Sequence, residues 1–367
     1  MADHRLFQPL AVGPITTKHR IVMAPLTRFR ADDNHVPSDL APEYYGQRAS
    51  VPGTLLISEA TFISREAGGY PNVPGIWSQE QIDAWKKVTR AVHEKRSFIF
   101  LQLWALGRVA MPDVARAEGF DIVSSSAKPF EKDAAVPRAA TKLEIQRFVQ
   151  QYAQAARNGI KAGFDGVEIH GAGGYLIDQF TQDNCNTRSD EYGGSIENRT
   201  RFILEVAQAV AEAIGAERVG VRLSPWQRYQ GMRMADPIPQ FTHVVQELGA
   251  LELAYLHLIE SRVNGNVDGD DREPPDFAIN AWDARKPVIL AGGYTAESAR
   301  EVTGKWKRRN ILVAFGRHFI STPDLPFRIR EGIPFTPYDR RTFYDVGSLK
   351  GYTDYEFSPE FQKSIGV

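Results

Sequence analysis

Eight short apolar stretches recur along the chain: Ile21–Pro25, Thr54–Ala60, Phe98–Trp104, Gly166–His170, Val219–Ser224, Tyr255–Glu260, Val288–Gly292 and Ile311–Gly316. Most are rich in Val, Ile and Leu and lack strict polar–apolar alternation, as parallel strands covered on both faces should be. Between them apolar positions return at helical spacing. Thr141 and Glu144 are spaced as a capping box, and Ile145, Phe148, Val149, Tyr152 and Ala156 then repeat on one face up to Gly163. Ile203, Val206, Val210, Ala213 and Ile214 form a second stripe stopped by Gly215, and Phe241, Val244, Val245 and Leu248 a third ending at Gly249. Eight strand–helix alternations predict an α/β chain folded as a (β/α)₈ TIM barrel, one domain over residues 1–367. A doubly wound sheet would need a glycine fingerprint in its first turn, and Ala24-Pro25-Leu26-Thr27-Arg28 contains no glycine. Two connections, Ala105–Ala140 and Gly171–Ser195, exceed ordinary loop length and read as lids or substrate walls. The tail over about 336–367 carries Phe343, Tyr344, Tyr352, Tyr355, Phe357 and Phe361, which predicts a docked segment.

Composition narrows the partners. The chain has 367 residues, 43% hydrophobic and 24% charged, with a formal net charge of -1. No basic excess draws nucleic acid or an anionic lipid surface, and no apolar run approaches the length of a membrane span. The start, MADHRLFQPL, lacks a charged region followed by an apolar core, so a cytoplasmic protein is expected. A lone cysteine, Cys185, rules out an internal disulfide and fits a reducing compartment. Asn198-Arg199-Thr200 matches a glycosylation sequon by chance on this reading. A monomer or homodimer acting on a small molecule is the expectation.

In such a barrel the reacting groups sit at the C-terminal ends of the strands. Those ends read Pro25-Leu26-Thr27, Glu59-Ala60, Gln102 with Trp104, His170, Arg222, Glu260, Gly292-Gly293 and Gly316-Arg317. They hold no lysine for a Schiff base and no His-x-His or His-Glu-x-x-His pattern for zinc. Gly292, Gly293 and Gly316 beside Arg317 stand where barrels bind phosphate, because a backbone without Cβ lets its N–H groups approach an anion. Arg222 is a charge inside an apolar strand; either Glu168 or Asp165 neutralises it, or it faces an anionic ligand. The run Gly166-Val167-Glu168-Ile169-His170 breaks into Gly171-Ala172-Gly173-Gly174 and then Tyr175. His170 and Tyr175 thereby become a pair of hydrogen-bond or proton donors at the rim. The glycine cluster is no dinucleotide fingerprint, since Leu176 stands where its last glycine belongs. From another class, a metal-dependent barrel lyase would draw on Glu59, Glu168, His170 and Glu260 as ligands.

Taken together, several blocks resemble the old yellow enzyme family of flavin-dependent ene-reductases, over about Phe7 to Tyr355. They are His19-Arg20-Ile21-Val22-Met23-Ala24-Pro25-Leu26-Thr27-Arg28, Gln102-Leu103-Trp104, the block around His170, Asn186-Thr187-Arg188, Tyr192–Arg199, Arg222-Leu223-Ser224-Pro225 and Gly316-Arg317. The resemblance implies a (β/α)₈ barrel with non-covalent FMN, hydride from NADPH or NADH, and reduction of activated C=C bonds in α,β-unsaturated carbonyl compounds. It implies FMN contacts from Pro25, Leu26, Thr27, Ala60, Gln102, Arg222, Gly292, Gly293, Gly316 and Arg317. Trp104 and Tyr344 would wall the substrate pocket, His170 would bind the substrate oxygen, and Tyr175 would supply the proton. The chain departs from the pattern at Gly173, where the family usually has a second polar donor, asparagine or histidine. That departure leaves room for a specialised biosynthetic reductase or isomerase.

Overall fold

The protein, here a computed structural model, is described over residues 4–366 except 265–266 and 269–272. Eight parallel strands close on themselves: β1 (Ile21–Met23), β2 (Leu55–Ile57), β3 (Phe98–Trp104), β4 (Gly166–Gly171), β5 (Val219–Leu223), β6 (Tyr255–Ile259), β7 (Pro287–Ala291) and β8 (Asn310–Phe315). Each pairs with the next in sequence. β8 returns to β1 through Val313 opposite Ile21, so the sheet has no free edge. The helices that follow the strands are α1 (Ala41–Arg48), α2 (Gln79–Glu94), α3 (Lys142–Lys161), α4 (Ile196–Ile214), α5 (Ile238–Ala250), α6 (Asp276–Ala281), α7 (Ala296–Lys305) and α8 (Leu325–Glu331). The α3 cap is a closed box: Glu144 N–H donates to Thr141 Oγ1 at 3.3 Å, and Thr141 N–H to Glu144 Oε2 at 2.8 Å.

The two main apolar cores among the described residues follow from this layering. The larger lies between strands and helices and takes in Trp85, Phe148, Tyr152, Phe202 and Phe241. The smaller fills the cylinder itself with Val22, Leu55, Phe100, Tyr255, Ile289 and Leu312, closed below by Val12 and Ile15 of an N-terminal hairpin. Gly220 makes room inside: a Cβ there would come within 2.2 Å of the Tyr255 ring. Higher in the cylinder, toward the strand C-termini, the filling turns polar on one side. Gln102 pairs in register with Glu168, and His170 with Arg222, which in turn stands beside His257.

The expected strands are all present; β3 coincides with its expected range, β4 runs one residue further to Gly171, and β1 and β2 end early for identifiable reasons. β1 stops before Pro25, which has no N–H to give. β2 stops because Glu59 N–H turns away to Tyr45 Oη at 2.8 Å. The two long connections are not featureless: they hold short helices at Pro112–Glu118 and Leu176–Thr181.

The tail is fastened to the start of the barrel by three buried arginines that gave no sign of this in sequence. Arg28 donates to the carbonyls of Phe343 (3.0 Å) and Gly351 (2.6 Å), and Arg30 to those of Phe343 (2.9 Å) and Thr342 (2.9 Å). Arg48 bonds the Tyr352 carbonyl at 3.0 Å and that of Ile320. Tyr352 stacks on Tyr44 with centroids 4.1 Å apart, and the Arg48 guanidinium lies over the Tyr44 ring.

Candidate active site

A cavity of about 450 Å³ opens at the C-terminal ends of the strands, within the usual size of a small-molecule site. The fifteen residues that the family resemblance implies for cofactor, substrate and proton all line it, from Pro25, Leu26 and Thr27 on one side to Gly316 and Arg317 on the other. The strands bring them together in layers.

The floor on the β3–β6 side is a buried polar chain. Gln102 Nε2 donates to Glu168 Oε1 at 2.7 Å, and His257 Nδ1 lies 2.8 Å from Glu168 Oε2. Burial pushes the Glu168 carboxyl up, but His257, Arg222 and the Gln102 bond outweigh it and hold it below the usual carboxylate range. Burial lowers His257 against the pull of Glu168, and its Nδ1–H donates to that carboxylate. Arg222 feels the charge of Glu168, but no hydrogen bond joins the two among the described residues. Its buried Nε has no hydrogen-bond partner among the described residues. Asp165, the other candidate counter-ion, is committed to Ile99 N–H (2.8 Å) and His93 (3.0 Å). A cation with an unmet buried N–H in a cavity wall is suited to an electron-rich ligand edge.

The β7–β8 side is a glycine cradle. Gly292 and Gly293 have φ of +152° and +65°, and a Cβ on Gly292 would fall 2.9 Å from Glu260 Cβ. Arg317 faces the same cavity, with Nη1 3.3 Å from Tyr338 Oη. Backbone freed of side chains beside a guanidinium fits a phosphate.

Above the floor stand three rings. Trp104 is nearly parallel to His170, with centroids 6.1 Å apart, and Tyr175 meets both edge-on, at 4.7 Å from Trp104 and 4.9 Å from His170. Ala172 N–H donates to His170 Nδ1 at 3.3 Å, so the ring proton is on Nε2. Burial, with Arg222 and His257 adding to it, drives the His170 pKa well below its ordinary value. His170 is thus a neutral donor and not a reserve of protons. Burial and the neighbouring Tyr70 and Tyr229 raise Tyr175 well above its ordinary value, so its hydroxyl keeps its proton at any physiological pH. Tyr344, from the tail, packs edge-on against Phe29 at 5.6 Å on the outer wall.

The lyase ligands do not converge. Glu168 is spent as described, Glu260 accepts from Tyr294 Oη at 2.6 Å and from Arg262, and Glu59 Oε2 accepts from Arg28 N–H at 3.3 Å. Among the described residues no group of three or more His, Cys, Asp and Glu could hold an ion. No helix of the described residues is long and apolar enough to cross a membrane.

Sequence reading missed Phe29, Tyr70, Gln227, Tyr229 and Phe343, which also line the cavity. They lie on loops and on the tail, where no period marks them. The only hint for Gln227 is its place three residues beyond Ser224 at a strand end.

A strand-end cavity with a glycine-rich wall beside Arg317, a cationic floor and paired ring donors suits a phosphorylated aromatic ligand. Residues 5–336 match the model of the NADH:flavin oxidoreductase / NADH oxidase family, and the chain belongs to that family, which includes the old yellow enzymes. Among its relatives is a chanoclavine-I aldehyde reductase of Penicillium roqueforti, 58% identical over 363 residues, covering 98% of each chain. Another, of Epichloe festucae var. lolii, is described as a probable inactive reductase and is 51% identical over 369 residues, 98% of this chain and 97% of its own. The crystal structure of Old Yellow Enzyme from Pichia sp. AKU4542 superposes with a TM-score of 0.91 at 40% identity, over 98% of this chain and 95% of that one. Family members hold FMN without a covalent bond and use NAD(P)H, and the present chain is an FMN-dependent oxidoreductase.

Proposed function

We propose that this chain reduces the activated C=C bond of α,β-unsaturated carbonyl compounds. Bound FMN would supply the two-electron hydride chemistry that links NAD(P)H to the acceptor's β-carbon. Pro25, Leu26, Thr27, Ala60, Gln102 and Arg222 would contact its ring system, with the unmet Arg222 N–H offsetting negative charge there. Gly292, Gly293, Gly316 and Arg317 would take its phosphate.

His170 Nε2–H donates to the carbonyl oxygen and draws electron density from the double bond. Tyr175 Oη–H delivers the proton to the α-carbon, so hydride and proton together saturate the bond. Trp104 and Tyr344 wall the acceptor's space, and Gly173 leaves part of that wall open. The observation that carries this reading is the neutral His170 donor meeting the always-protonated Tyr175 edge-on at 4.9 Å in one cavity.

The test is anaerobic. NADPH should bleach the yellow protein, and a simple enone or enal should restore the colour and leave the saturated product, with solvent deuterium at the α-carbon. Bleached protein that no enone or enal reoxidises would refute the reading. The names of the relatives favour a narrower version, in which the acceptor is a single biosynthetic aldehyde. A panel of enals against enones separates the two.

A further inference from the structure

The turn after β4 uses up its own backbone donors. Ala172 N–H goes to His170 Nδ1 (3.3 Å), Gly173 N–H to Ser224 Oγ (2.8 Å), Gly174 N–H to Asp178 Oδ2 (2.9 Å) and Tyr175 N–H to the Ala172 carbonyl (3.4 Å). Gly173 has no side chain. An oxygen held by His170 therefore finds no second donor in this turn other than the Tyr175 hydroxyl, which the mechanism commits to the α-carbon.

Another segment reaches the same spot. Ser224, at the end of β5, holds Gly173 through its hydroxyl, and its carbonyl accepts from Gln227 N–H at 3.3 Å. One residue thus fastens the β4 turn and the β5 loop side by side. Gln227 is 5% exposed and lines the cavity. Its Oε1 lies 3.8 Å from the point where a Cβ on Gly173 would project, and Tyr175 Cε2 lies 3.3 Å from that point. The amide thus stands at van der Waals distance from where a side chain at position 173 would begin. A half-turn of the amide exchanges oxygen for NH₂ at that place, so it can present a donor to a ligand oxygen.

We propose that Gln227 is the second substrate-oxygen donor, acting with His170 across the β4–β5 junction in place of a side chain at position 173. The assignment rests on the oxygen site described under the proposed function and deepens it. It selects acceptors whose oxygen takes two hydrogen bonds, such as carbonyl or phenol oxygens.

The test uses the FMN-loaded protein and 4-chlorophenol, whose binding is read from the perturbed flavin absorption. A lost hydrogen bond to such an oxygen corresponds to about tenfold or more in affinity. Gln227→Ala and the equally sized Gln227→Glu should both bind the phenol at least about tenfold more weakly than wild type. FMN stoichiometry should be unchanged in both. Gly173→Asn placed in the Gln227→Ala protein should recover part of the loss, since asparagine tolerates the left-handed backbone at that position. If Gln227→Glu binds like wild type, the residue only fills space and the assignment falls. The same holds if both variants do. His170→Ala separates the layers: if it binds the phenol normally, the oxygen site itself is misread. If it fails to bind while the Gln227 variants bind normally, only Gln227 is dismissed.

Discussion

Replacing Tyr175 by phenylalanine isolates a single O–H. The Tyr175 ring is held by edge-on contacts to Trp104 at 4.7 Å and His170 at 4.9 Å and by the start of the short helix Leu176–Thr181, and phenylalanine keeps all three. What disappears is the proton donor. Because burial raises the tyrosine well above its ordinary value, the wild-type hydroxyl is protonated across any assay pH, and the whole donor contribution is lost at once. Positioned proton donation is worth about 10²–10⁴-fold, or roughly 3–5 kcal/mol of barrier. Stopped-flow spectroscopy resolves the two halves of the cycle. Bleaching by NADPH should proceed at the wild-type rate, because no proton passes through Tyr175 in that half. Reoxidation by an enone should slow by about two to four decades. The wild-type reoxidation rate should also be flat from neutral pH upward as far as Tyr175 is concerned. Reoxidation of the Phe variant at the wild-type rate would remove Tyr175 from the chemistry and with it the argument from ring geometry.

Three further outcomes follow from the same structure. Glu59 is pushed up to about 7 by burial, opposed only in part by the Arg28 N–H bond and the Arg28 charge, so its ionisation opposes folding as pH rises from about 4.5 to about 7. Glu59→Gln should therefore raise stability at pH 8 by up to about 3 kcal/mol and change it little at pH 5; equal effects at the two values in thermal melts would refute the burial argument. Arg48→Met leaves the carbonyls of Tyr44, Phe319, Ile320 and Tyr352 without their donor and should cost about 3 kcal/mol or more. Limited proteolysis should then cut the tail first, and an uncut tail would show that the arginine is dispensable. Gly173→Ala puts a Cβ on a backbone at φ +65° and 3.3 Å from the Tyr175 ring, and should lower stability by about 1–2 kcal/mol with slowed reoxidation; a melting temperature unchanged from wild type would contradict that conformation.

How much of this could be read from the chain depends on the range of the interaction. The strands were legible because burial on both faces leaves a local trace, such as Val219-Gly220-Val221 or Val288-Ile289-Leu290. Strand ends were less so: β2 stops at Ile57 because of Tyr45, a residue on another element. That one cavity would gather Thr27, Gln102, His170, Arg222, Gly293 and Arg317 followed from their shared place at strand C-termini. What neutralises Arg222 did not follow. Asp165 looked as eligible as Glu168 until the register placed Arg222 beside His170 and His257 and turned Asp165 toward Ile99. Gln227 and Tyr70 stand in loops, where nothing periodic distinguishes a lining residue from a surface one. The arginines at 28, 30 and 48 read as ordinary charges because their partners lie about three hundred positions away, a separation no local pattern reports.

Those arginines also set a schedule. Phe343 and Tyr344 form part of the cavity's outer wall, yet they follow the eighth strand in the chain and leave the ribosome after the whole cylinder. Until that segment emerges, three guanidinium groups near the first strand lack the tail carbonyls they grip and the pocket has no roof on that side. A nascent chain can complete its cylinder before it can shelter a ligand, so maturation of the site waits for the stretch that follows the eighth strand and is sensitive to anything that diverts that stretch.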